Sequence, residues 1–555
     1  MRHHGLSRRL LALSAGTVMV AGLAACGGDD GDGGEAGEGG GGTLVFGASG
    51  DPAILDGAYV SDGESLRAVR QIFETLVTTE EGGTEIEGLL AQDWEASDDG
   101  LEWTFNLQEG VTFHDGEAFD AEAVCFNFDR WYNFEGVQQS PAVSYYWGTV
   151  MGGFAQNEDP NLGESLYSSC EAADENTAVI TLTRPSSTFL TALSLPSFSI
   201  ASPTALEDGG ADDVSGAGDA PSFDGTFGYE NPAGTGPFQF ESWDRGSRLT
   251  LSRYDDYWGE PAQLDTLVFS VLADGPARRQ ALEAGDIDGY DLVDPADVDA
   301  LEDAGFQVLR RPAFNVGYVG FNQALPPMDN LQIRQAVAHA INRENLLQTN
   351  YPEGAEVATQ FMPPDLFGYA TEVTEYEYDP DLARQLIAES GVTDLALDFW
   401  YPTDVSRPYM PNPQANWELM RTDLEAVGFT ITPQTAPWTP QYLDEVDGGN
   451  AQMYLLGWTG DFGDPDNFIG TFFQQQQPQW GFDNPEIFEA LNEAEAETDE
   501  ETRTQLYEEA NRLIMDFLPG LPYVHTEPAI ALREGVEGLV PDPVTNERFV
   551  GVSID

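Results

Sequence analysis

The sequence contains no lysine: its 23 basic residues are all arginines, and 96 aspartates and glutamates outnumber them. Arg2, Arg8 and Arg9 lie in the first 25 residues, which contain no acid, so the remainder has 20 bases against 96 acids. Nucleic-acid binding requires cations against the phosphate backbone. The charge balance therefore excludes a nucleic-acid partner. It also predicts a self-repelling acidic surface that salt relieves, as in a halophilic or salt-tolerant source.

Cysteine is scarce as well, with Cys26, Cys125 and Cys170 in 555 residues. Two cysteines in an exported body favour one disulfide, Cys125–Cys170, with two free buried thiols as the alternative. The motifs G-x-S-x-G, H-E-x-x-H and Walker A are absent, which argues against common hydrolases and nucleotide-binding proteins. The body contains only three widely spaced histidines, His114, His339 and His525, so we expect no metal site. Because the enzyme motifs are absent, we also expect no enzymatic activity, and we expect no cofactor.

The sequence has no apolar run long enough to span a membrane comfortably. The longest largely apolar stretch, residues 10–25 (LLALSAGTVMVAGLAA), falls short of the about 20 residues that a spanning helix needs. With the arginines before it, this stretch predicts a signal peptide over residues 1–25. SRRLLA at 7–12 weakly resembles a twin-arginine signal, so the export route stays open.

The signal peptide is followed by features typical of a membrane-anchored exported protein. LAAC at 23–26 resembles a bacterial lipobox, in which Cys26 becomes the lipid-bearing first residue; an ordinary signal peptide is the alternative. Residues 27–42 are almost entirely glycine and acid and predict a flexible tether. We therefore expect a lipid-anchored protein on the outer face of the cell membrane.

The body of the chain is long enough for two or three α/β domains. From Thr43 onwards strand-like and helix-like segments alternate, while residues 207–230 are loop in composition. A second βα region starts near Phe314, and its strand–helix–strand order predicts parallel connections.

Three acids follow a buried-strand pattern in residues 454–473 (YLLGWTGDFGDPDNFIGTFF). Counted from Asp461, a calcium loop fails, because glycine and proline stand where oxygen ligands are needed. Asp464-Pro465-Asp466 instead predicts a helix start, with Asp464 as the N-cap and Asp466 in the first turn. Asp461 is left without a capping role.

Arg407 occupies a position that corresponds to that of Asp461. It follows the predicted strand 395–401, as Asp461 follows its own strand. If both strands belong to one parallel sheet, both residues lie at the C-terminal edge, where open α/β sheets bind ligands. An aspartate and an arginine one or two strands apart could clamp a small zwitterion. The alternatives are a structural ion pair or two separate surface charges.

Several blocks resemble the extracellular solute-binding family 5, the peptide and nickel receptors of ABC importers. They are residues 88–130 (GLLAQDWEASDDGLEWTFNLQEGVTFHDGEAFDAEAVCFNFDR), 234–259 (GTGPFQFESWDRGSRLTLSRYDDYWG), 314–342 (FNVGYVGFNQALPPMDNLQIRQAVAHAIN) and the terminal GVSID. The resemblance implies a two-lobed α/β fold of the type II periplasmic-binding-protein kind (large, cluster C), with a discontinuous first lobe and a hinge. Lobe I would contain residues 43–314 and 526–555, and lobe II residues 315–525.

Within that family, SRPYMPNPQANWELMRTDLEAVG and GWTGDFGDPDNF resemble the dipeptide-binding branch. The resemblance implies that Asp461 takes the ligand's α-ammonium group and Arg407 its α-carboxylate. Tyr409, Gly457 and Trp458 would line the same pocket. The expected partners are a small peptide and a membrane permease, and the expected state is a monomer.

Two features of the sequence depart from the pattern expected for the dipeptide-binding branch. Phe462 stands where a polar residue is expected, and the long aromatic segment 131–170 has no counterpart. The family also includes receptors for oligopeptides, haem, nickel chelates, glutathione and oligosaccharides. These ligands, a peptide-sensing receptor and an exported hydrolase remain alternative functions.

Overall fold

The computed structural model describes residues 41–160, 162–217 and 220–555. The predicted signal peptide, Cys26 and nearly all of the predicted tether lie outside the described residues. None of the helices in the described ranges combines the length and the apolar composition required to cross a membrane.

The described residues alternate between strands and helices along the whole body. The strands are β1 (Thr43–Ala48), β2 (Val77–Thr79), β3 (Ile86–Gly88), β4 (Ala91–Ala96), β5 (Glu102–Leu107), β6 (Tyr167–Asp174), β7 (Thr177–Leu182), β8 (Val214–Ala217), β9 (Ala220–Phe223), β10 (Phe238–Asp244), β11 (Arg248–Arg253), β12 (Thr266–Val271), β13 (Gly289–Tyr290), β14 (Gln307–Arg310), β15 (Asn315–Phe321), β16 (Ala396–Pro402), β17 (Thr430–Ala436), β18 (Met453–Thr459), β19 (Gly520–Val524), β20 (Ala529–Leu532), β21 (Val536–Glu537) and β22 (Ser553–Ile554). The helices are α1 (Gly63–Ile72), α2 (Ala121–Tyr132), α3 (Tyr145–Met151), α4 (Phe189–Ala192), α5 (Pro203–Asp208), α6 (Phe227–Glu230), α7 (Gly275–Ala284), α8 (Val298–Asp303), α9 (Leu331–Ala340), α10 (Arg343–Asn350), α11 (Pro380–Ser390), α12 (Pro413–Val427), α13 (Leu443–Asp447), α14 (Ile469–Phe473), α15 (Pro485–Ala496) and α16 (Glu500–Phe517).

One large sheet is built from the first part of the chain and one strand near its end. It has seven strands in the order β10-β11-β12-β1-β13-β20-β14. β1 runs parallel to β12 and β13, whereas β20 runs antiparallel to β13 and β14. A four-stranded antiparallel sheet, β4-β5-β7-β6, belongs to the same part of the chain. Its buried apolar residues join those of the large sheet in one hydrophobic cluster.

The second large sheet has five strands in the order β17-β16-β18-β15-β19. β16 is parallel to both neighbours, β17 and β18, which confirms the parallel βα connections predicted for this region. β15 is antiparallel to both of its neighbours. Every residue of β15 is buried, because helices cover the sheet and its apolar residues form a second hydrophobic cluster.

The chain crosses between the two sheets twice, from β14 to β15 and from β19 back to β20. The crossings run side by side. The Arg311 backbone amide donates to the Pro528 carbonyl at 2.8 Å. The Asn315 side-chain amide donates to the Thr526 carbonyl at 2.9 Å and accepts from the Thr526 amide at 3.1 Å. These bonds tie the two crossings into one narrow connection between the sheets.

A buried ion network fixes one end of this connection. The Arg311 guanidinium pairs with Asp291 at 2.6 Å and with Glu547 at 2.5 Å. Arg67 of α1 contacts the same two carboxylates. The two arginines hold the pKa of Asp291 below its ordinary value, although burial acts in the opposite direction.

Two further details concern the part of the chain around the first sheet. Cys125 of α2 and Cys170 of β6 form a disulfide with their Cα atoms 5.1 Å apart. The prediction of loop for residues 207–230 is wrong in part, because β8 and β9 form an antiparallel hairpin there and α6 follows.

Candidate functional site

A cavity of about 1070 Å³ lies between the two parts of the molecule. Its lining from the first part includes Tyr145, Tyr146, Gly148, Glu164, Arg184 and Thr188. Its lining from the second part includes Tyr318, Tyr409, Trp438, Asp447, Gly457, Trp458, Asp461, Asp466, Asn467, Gln474, Gln475, Gln477, Gln479, Asn492 and Glu495. The volume lies slightly above the roughly 300–1,000 Å³ typical of small-ligand pockets.

The strand order explains why this edge of the second sheet carries the polar residues. β16 and β18 are parallel neighbours, with Phe399 opposite Met453 and Trp400 opposite Tyr454. Their C-terminal ends therefore lie at the same edge of the sheet. The loop after β18 carries Asp461 directly into the cavity.

Asp461 is positioned by two neutral side chains, one from each side of the cavity. The Tyr146 hydroxyl donates to Asp461 Oδ1 at 2.8 Å. Asn467 accepts from the Asp461 backbone amide at 2.7 Å and donates to Oδ2 at 3.4 Å. The carboxylate is thus oriented, and one of its oxygens is only weakly engaged.

The charge of Asp461 has no counter-ion within the described ranges. Burial raises its pKa from the ordinary 3.8 to about 6, and only the hydrogen bonds from Tyr146 and Asn467 act in the opposite direction. Asp461 is partly buried, and removing a carboxylate from water without a cation is costly, so a cationic group entering the cavity would relieve that cost. The chemistry of this position therefore suits an ammonium group.

Tyr409 and Gly457 form the floor of the cavity. The Tyr409 ring lies against the backbone of β18. A Cβ atom on Gly457 would lie 2.3 Å from Tyr409 Cδ2 and 2.4 Å from the Val316 carbonyl oxygen. The Tyr351 hydroxyl donates to the Tyr409 backbone carbonyl at 2.9 Å, which holds the main chain of Tyr409 in place. The glycine is therefore required for the close packing of ring and strand.

Trp458 lines the same cavity beside this floor. Its indole Nε1 donates to Asn467 Oδ1 at 3.3 Å, the atom that also accepts from the Asp461 amide. Its ring packs edge-on against Phe472, with centroids 5.7 Å apart. Four of the five predicted ligand-binding residues, Tyr409, Gly457, Trp458 and Asp461, thus line one cavity.

Arg407 lies elsewhere. It lines a separate recess of about 40 Å³ beside the crossing segments, together with Glu527. Its guanidinium lies 4.8 Å from the centre of the Trp438 ring, and its backbone pairs with that of Met410. Its Nε has no hydrogen-bond partner in the described part of the chain. Trp438 itself lines the large cavity, as does Asp461, but Arg407 does not. Arg407 is therefore separated from the space that Asp461 faces, although it contacts a residue of the lining.

The other two acids of the loop have different environments. Asp464 caps the short helix that begins at Pro465 by accepting from the Asp466 amide at 2.9 Å, which confirms the predicted helix start. Asp464 also pairs with Arg503, an interaction that the sequence pattern does not indicate. Burial and the nearby Glu495 raise the pKa of Asp466 well above its ordinary value.

Two residues that sequence reasoning did not place become important here. Tyr146 reaches Asp461 from the aromatic segment 131–170. Phe462 is buried among residues of the first part of the chain. The only available signal was that both lay in the stretches departing from the expected family pattern.

Comparisons with known proteins agree with this architecture. The family described as bacterial extracellular solute-binding proteins, family 5 Middle, matches residues 85–480. The dipeptide-binding protein of Escherichia coli is 32% identical over 527 residues, which cover 92% of this chain and 95% of that protein. Heme-binding protein A of Haemophilus influenzae is 32% identical over 526 residues, covering 92% of each.

A solved structure shows the same overall fold. It is an ABC transporter-associated periplasmic binding protein from Helicobacter pylori, in complex with the peptide STSA. That protein is 27% identical, with a TM-score of 0.77 over 93% of this chain and 98% of that chain. The predicted fold class, a two-lobed type II periplasmic-binding-protein fold with a discontinuous first lobe and a hinge, is confirmed. The chain belongs to family 5 of the bacterial extracellular solute-binding proteins.

Proposed function

We propose that this protein is the extracellular receptor of an ABC importer and captures short peptides by closing two lobes around them. The observation that carries the proposal is Asp461, a carboxylate that lines a large cavity between the two sheets and has no cationic partner in the described residues. The peptide ligands of the Escherichia coli and Helicobacter pylori relatives support the choice of ligand class.

In this proposal the ligand's α-ammonium group binds Asp461. The weakly engaged Oδ2 offers the position, because Oδ1 already accepts the short hydrogen bond from Tyr146. A charge-assisted hydrogen bond is shorter and stronger than a neutral one. An N-blocked ligand would leave the buried carboxylate unpaired, which gives selectivity for free N-termini.

The carboxylate end of a dipeptide would bind Arg407, whose Nε has no partner among the described residues. To reach the large cavity, the guanidinium has to leave its position over the Trp438 ring. A longer peptide has a second choice. Arg184 is the one cationic side chain among the described residues that line the large cavity. It could pair with the C-terminal carboxylate of a peptide of several residues whose N-terminus is bound at Asp461.

We place the lobe boundaries at the two crossings, with lobe I formed by residues 43–314 and 526–555 and lobe II by residues 315–525. The paired backbone between Arg311 and Pro528 would act as the hinge. A ligand that contacts both lobes stabilises the closed form by its greater affinity for it. The closed form would then be recognised by the membrane permease.

The N-terminal features complete the proposal. Export by the signal peptide, lipid attachment at Cys26 and the tether 27–42 would keep a monomeric receptor beside its permease, on the outer face of the membrane. The family consists of solute-binding proteins rather than enzymes, and we propose that the chain has no catalytic activity.

Calorimetric titration with a free dipeptide and its N-acetylated form tests the ammonium site. We expect the free dipeptide to bind and the acetylated one to lose at least about 100-fold in affinity, because a buried charge is left unpaired. Equal affinities for the two would refute the proposal.

Native mass spectrometry of the purified protein tests the ligand class independently. We expect masses of short peptides to be released on denaturation. A haem or metal-chelate mass would instead favour the ligand type of the Haemophilus influenzae relative.

A further inference from the structure

The loop that carries Asp461 contacts the opposite lobe through three consecutive residues. Asp461 accepts from the Tyr146 hydroxyl at 2.8 Å. Phe462 is 6% exposed and buried in the hydrophobic cluster of the other lobe. At Gly463 a Cβ atom would lie 2.6 Å from Thr84 Cβ, so the backbone passes directly against that residue.

Phe462 is the unusual member of its cluster. All other buried residues of that cluster come from residues 44–269 and 530–552, which belong to the proposed lobe I. Phe462 follows β18 of the second sheet by three residues. A side chain from one lobe is therefore packed into the core of the other, one residue away from the proposed ammonium ligand.

Tyr146 is held firmly on its own side. It lies on α3, and the next residue, Trp147, packs against Trp131 and Tyr167 with ring centroids 5.9 and 5.7 Å apart. The Trp147 indole also donates to the Gly153 carbonyl at 3.0 Å. The Cys125–Cys170 disulfide closes the chain on both sides of this segment. Tyr146 thus reaches Asp461 from a braced position rather than from a loose loop.

We propose that Asp461, Phe462 and Gly463, together with Tyr146, form a latch that couples capture of the ligand's ammonium group to closure of the lobes. Tyr146 engages Oδ1 only when the lobes meet, and it orients Oδ2 towards the ligand. Phe462 enters the opposite core in the same movement. Ligand binding and docking of Phe462 therefore stabilise the same closed form, and each increases the affinity of the other.

In this latch Tyr146 is a specificity-determining residue. Phe462 is a positioning residue. Tyr146 occupies one oxygen of Asp461 and so selects groups that fit the other. Phe462 does not touch the ligand, and it acts by stabilising the closed form. The inference rests on the proposed function only in assigning the ammonium group to Asp461.

The test combines binding with a measurement of closure that needs no ligand. We would measure the Kd of a free tripeptide by calorimetry and the radius of gyration by small-angle X-ray scattering, with and without the peptide. For Phe462→Ala we expect at least about ten-fold weaker binding, because a buried aromatic contact between the lobes is lost. We also expect the ligand-free Phe462→Ala variant to have a larger radius of gyration than the ligand-free natural protein.

For Tyr146→Phe we expect about ten-fold weaker binding, because a hydrogen bond to a charged group is removed. Matched controls are Phe488→Ala, an aromatic residue packed within the second lobe only, and Tyr132→Phe, on α2 outside the cavity lining. Both controls should bind as the natural protein does.

Unchanged binding and unchanged radius of gyration for Phe462→Ala would overturn the latch, as would a loss no greater than that of Phe488→Ala. The scattering result separates this outcome from failure of the proposed function. If no peptide binds at all, the proposed function and the coupling to ammonium capture both fail. An expanded Phe462→Ala would then still support docking of Phe462 in the opposite lobe, whereas an unchanged radius of gyration would reject that as well.

Discussion

Arg503 of α16 donates to both oxygens of Asp464, at 2.8 and 2.9 Å, and both side chains are buried. Asp464 lies three residues beyond Asp461, in the same loop. The Arg503 guanidinium is also 5.2 Å from the centre of the Phe367 ring. The loop that presents the proposed ammonium ligand is thereby anchored to a long helix of the second lobe.

Removing Arg503 should destabilise the protein strongly. For Arg503→Ala we expect the free energy of unfolding to fall by about 3–5 kcal/mol, because the Asp464 carboxylate is left buried and unpaired. Urea denaturation followed by circular dichroism measures this. The matched control is Arg512→Ala on the same helix, whose ion pairs with Glu508 and Glu509 are partly exposed to solvent. That change should cost below about 1 kcal/mol, and similar losses for both variants would contradict the anchoring role.

Binding of free peptides should weaken below about pH 6. Burial raises the pKa of Asp461 to about 6 in the ligand-free protein, so the carboxylate becomes protonated as the pH falls through that value. A peptide's α-amino group has a pKa of about 7.7–8.0 and loses its charge above it. Affinity should therefore be highest between about pH 6 and 8, which calorimetry across pH 4–9 measures. An acidic limb that persists in Asp461→Asn would assign it to another group.

The same pKa shift predicts that Asp461→Asn stabilises the protein. Folding raises the pKa of Asp461 from 3.8 to about 6. The ionised carboxylate therefore destabilises the folded protein increasingly as the pH rises above about 4, and in full above about pH 6. At pH 7.5 the variant should gain about 2–3 kcal/mol in the free energy of unfolding. The gain should shrink as the pH falls through 6 and vanish below about 4. A variant less stable than the natural protein at pH 7.5 would contradict the unpaired charge.

The two candidate carboxylate partners can be distinguished by ligand length. Arg407→Ala should weaken dipeptides by about 100-fold and their amides little, because one charge-assisted pair is lost. Arg184→Ala should instead weaken tetrapeptides. If Arg407→Ala affects free and amidated dipeptides equally, Arg407 acts on the recess beside the crossings and not on the ligand.

Gly457→Ala should damage the floor of the cavity. The new Cβ atom would lie 2.3 Å from a Tyr409 ring atom and 2.4 Å from a backbone oxygen, so the ring has to move. We expect a loss of about 1–3 kcal/mol in the free energy of unfolding and weaker peptide binding. Gly63→Ala is the control, because a Cβ atom there meets nothing within 4 Å. Equal stability of the two variants would show that the floor can adapt.

Much of the architecture could be predicted from the sequence. Hydrophobic periodicity predicts the alternation of strands and helices from Thr43 onwards, and the parallel arrangement of β16 and β18 follows from the βα connections in that region. The residues of β8 and β9 are mostly small or polar, so their pattern predicts a loop rather than two strands. Only the tertiary pairing, with Val214 opposite Phe223, reveals the two strands.

The site was predictable only as far as local patterns reach. The end of β18 located Asp461, and Pro465 located the helix start. The Tyr146 hydroxyl, by contrast, comes from 315 residues away in the chain, and no spacing rule connects such a pair. The position of Arg407 depends on the tight backbone pairing with Met410 and on the Trp438 ring, which strand ends alone do not specify.

The close packing of the Tyr409 ring on Gly457 separates the cavity into a fixed part and an adaptable part. The floor tolerates no added atom, so it cannot drift by single substitutions without loss of stability. The glutamines at 474, 475, 477 and 479 also line the cavity, and Gln475 is exposed. A library confined to those four positions is therefore the economical route to a biosensor for a new peptide. The ammonium site and the scaffold would be inherited unchanged.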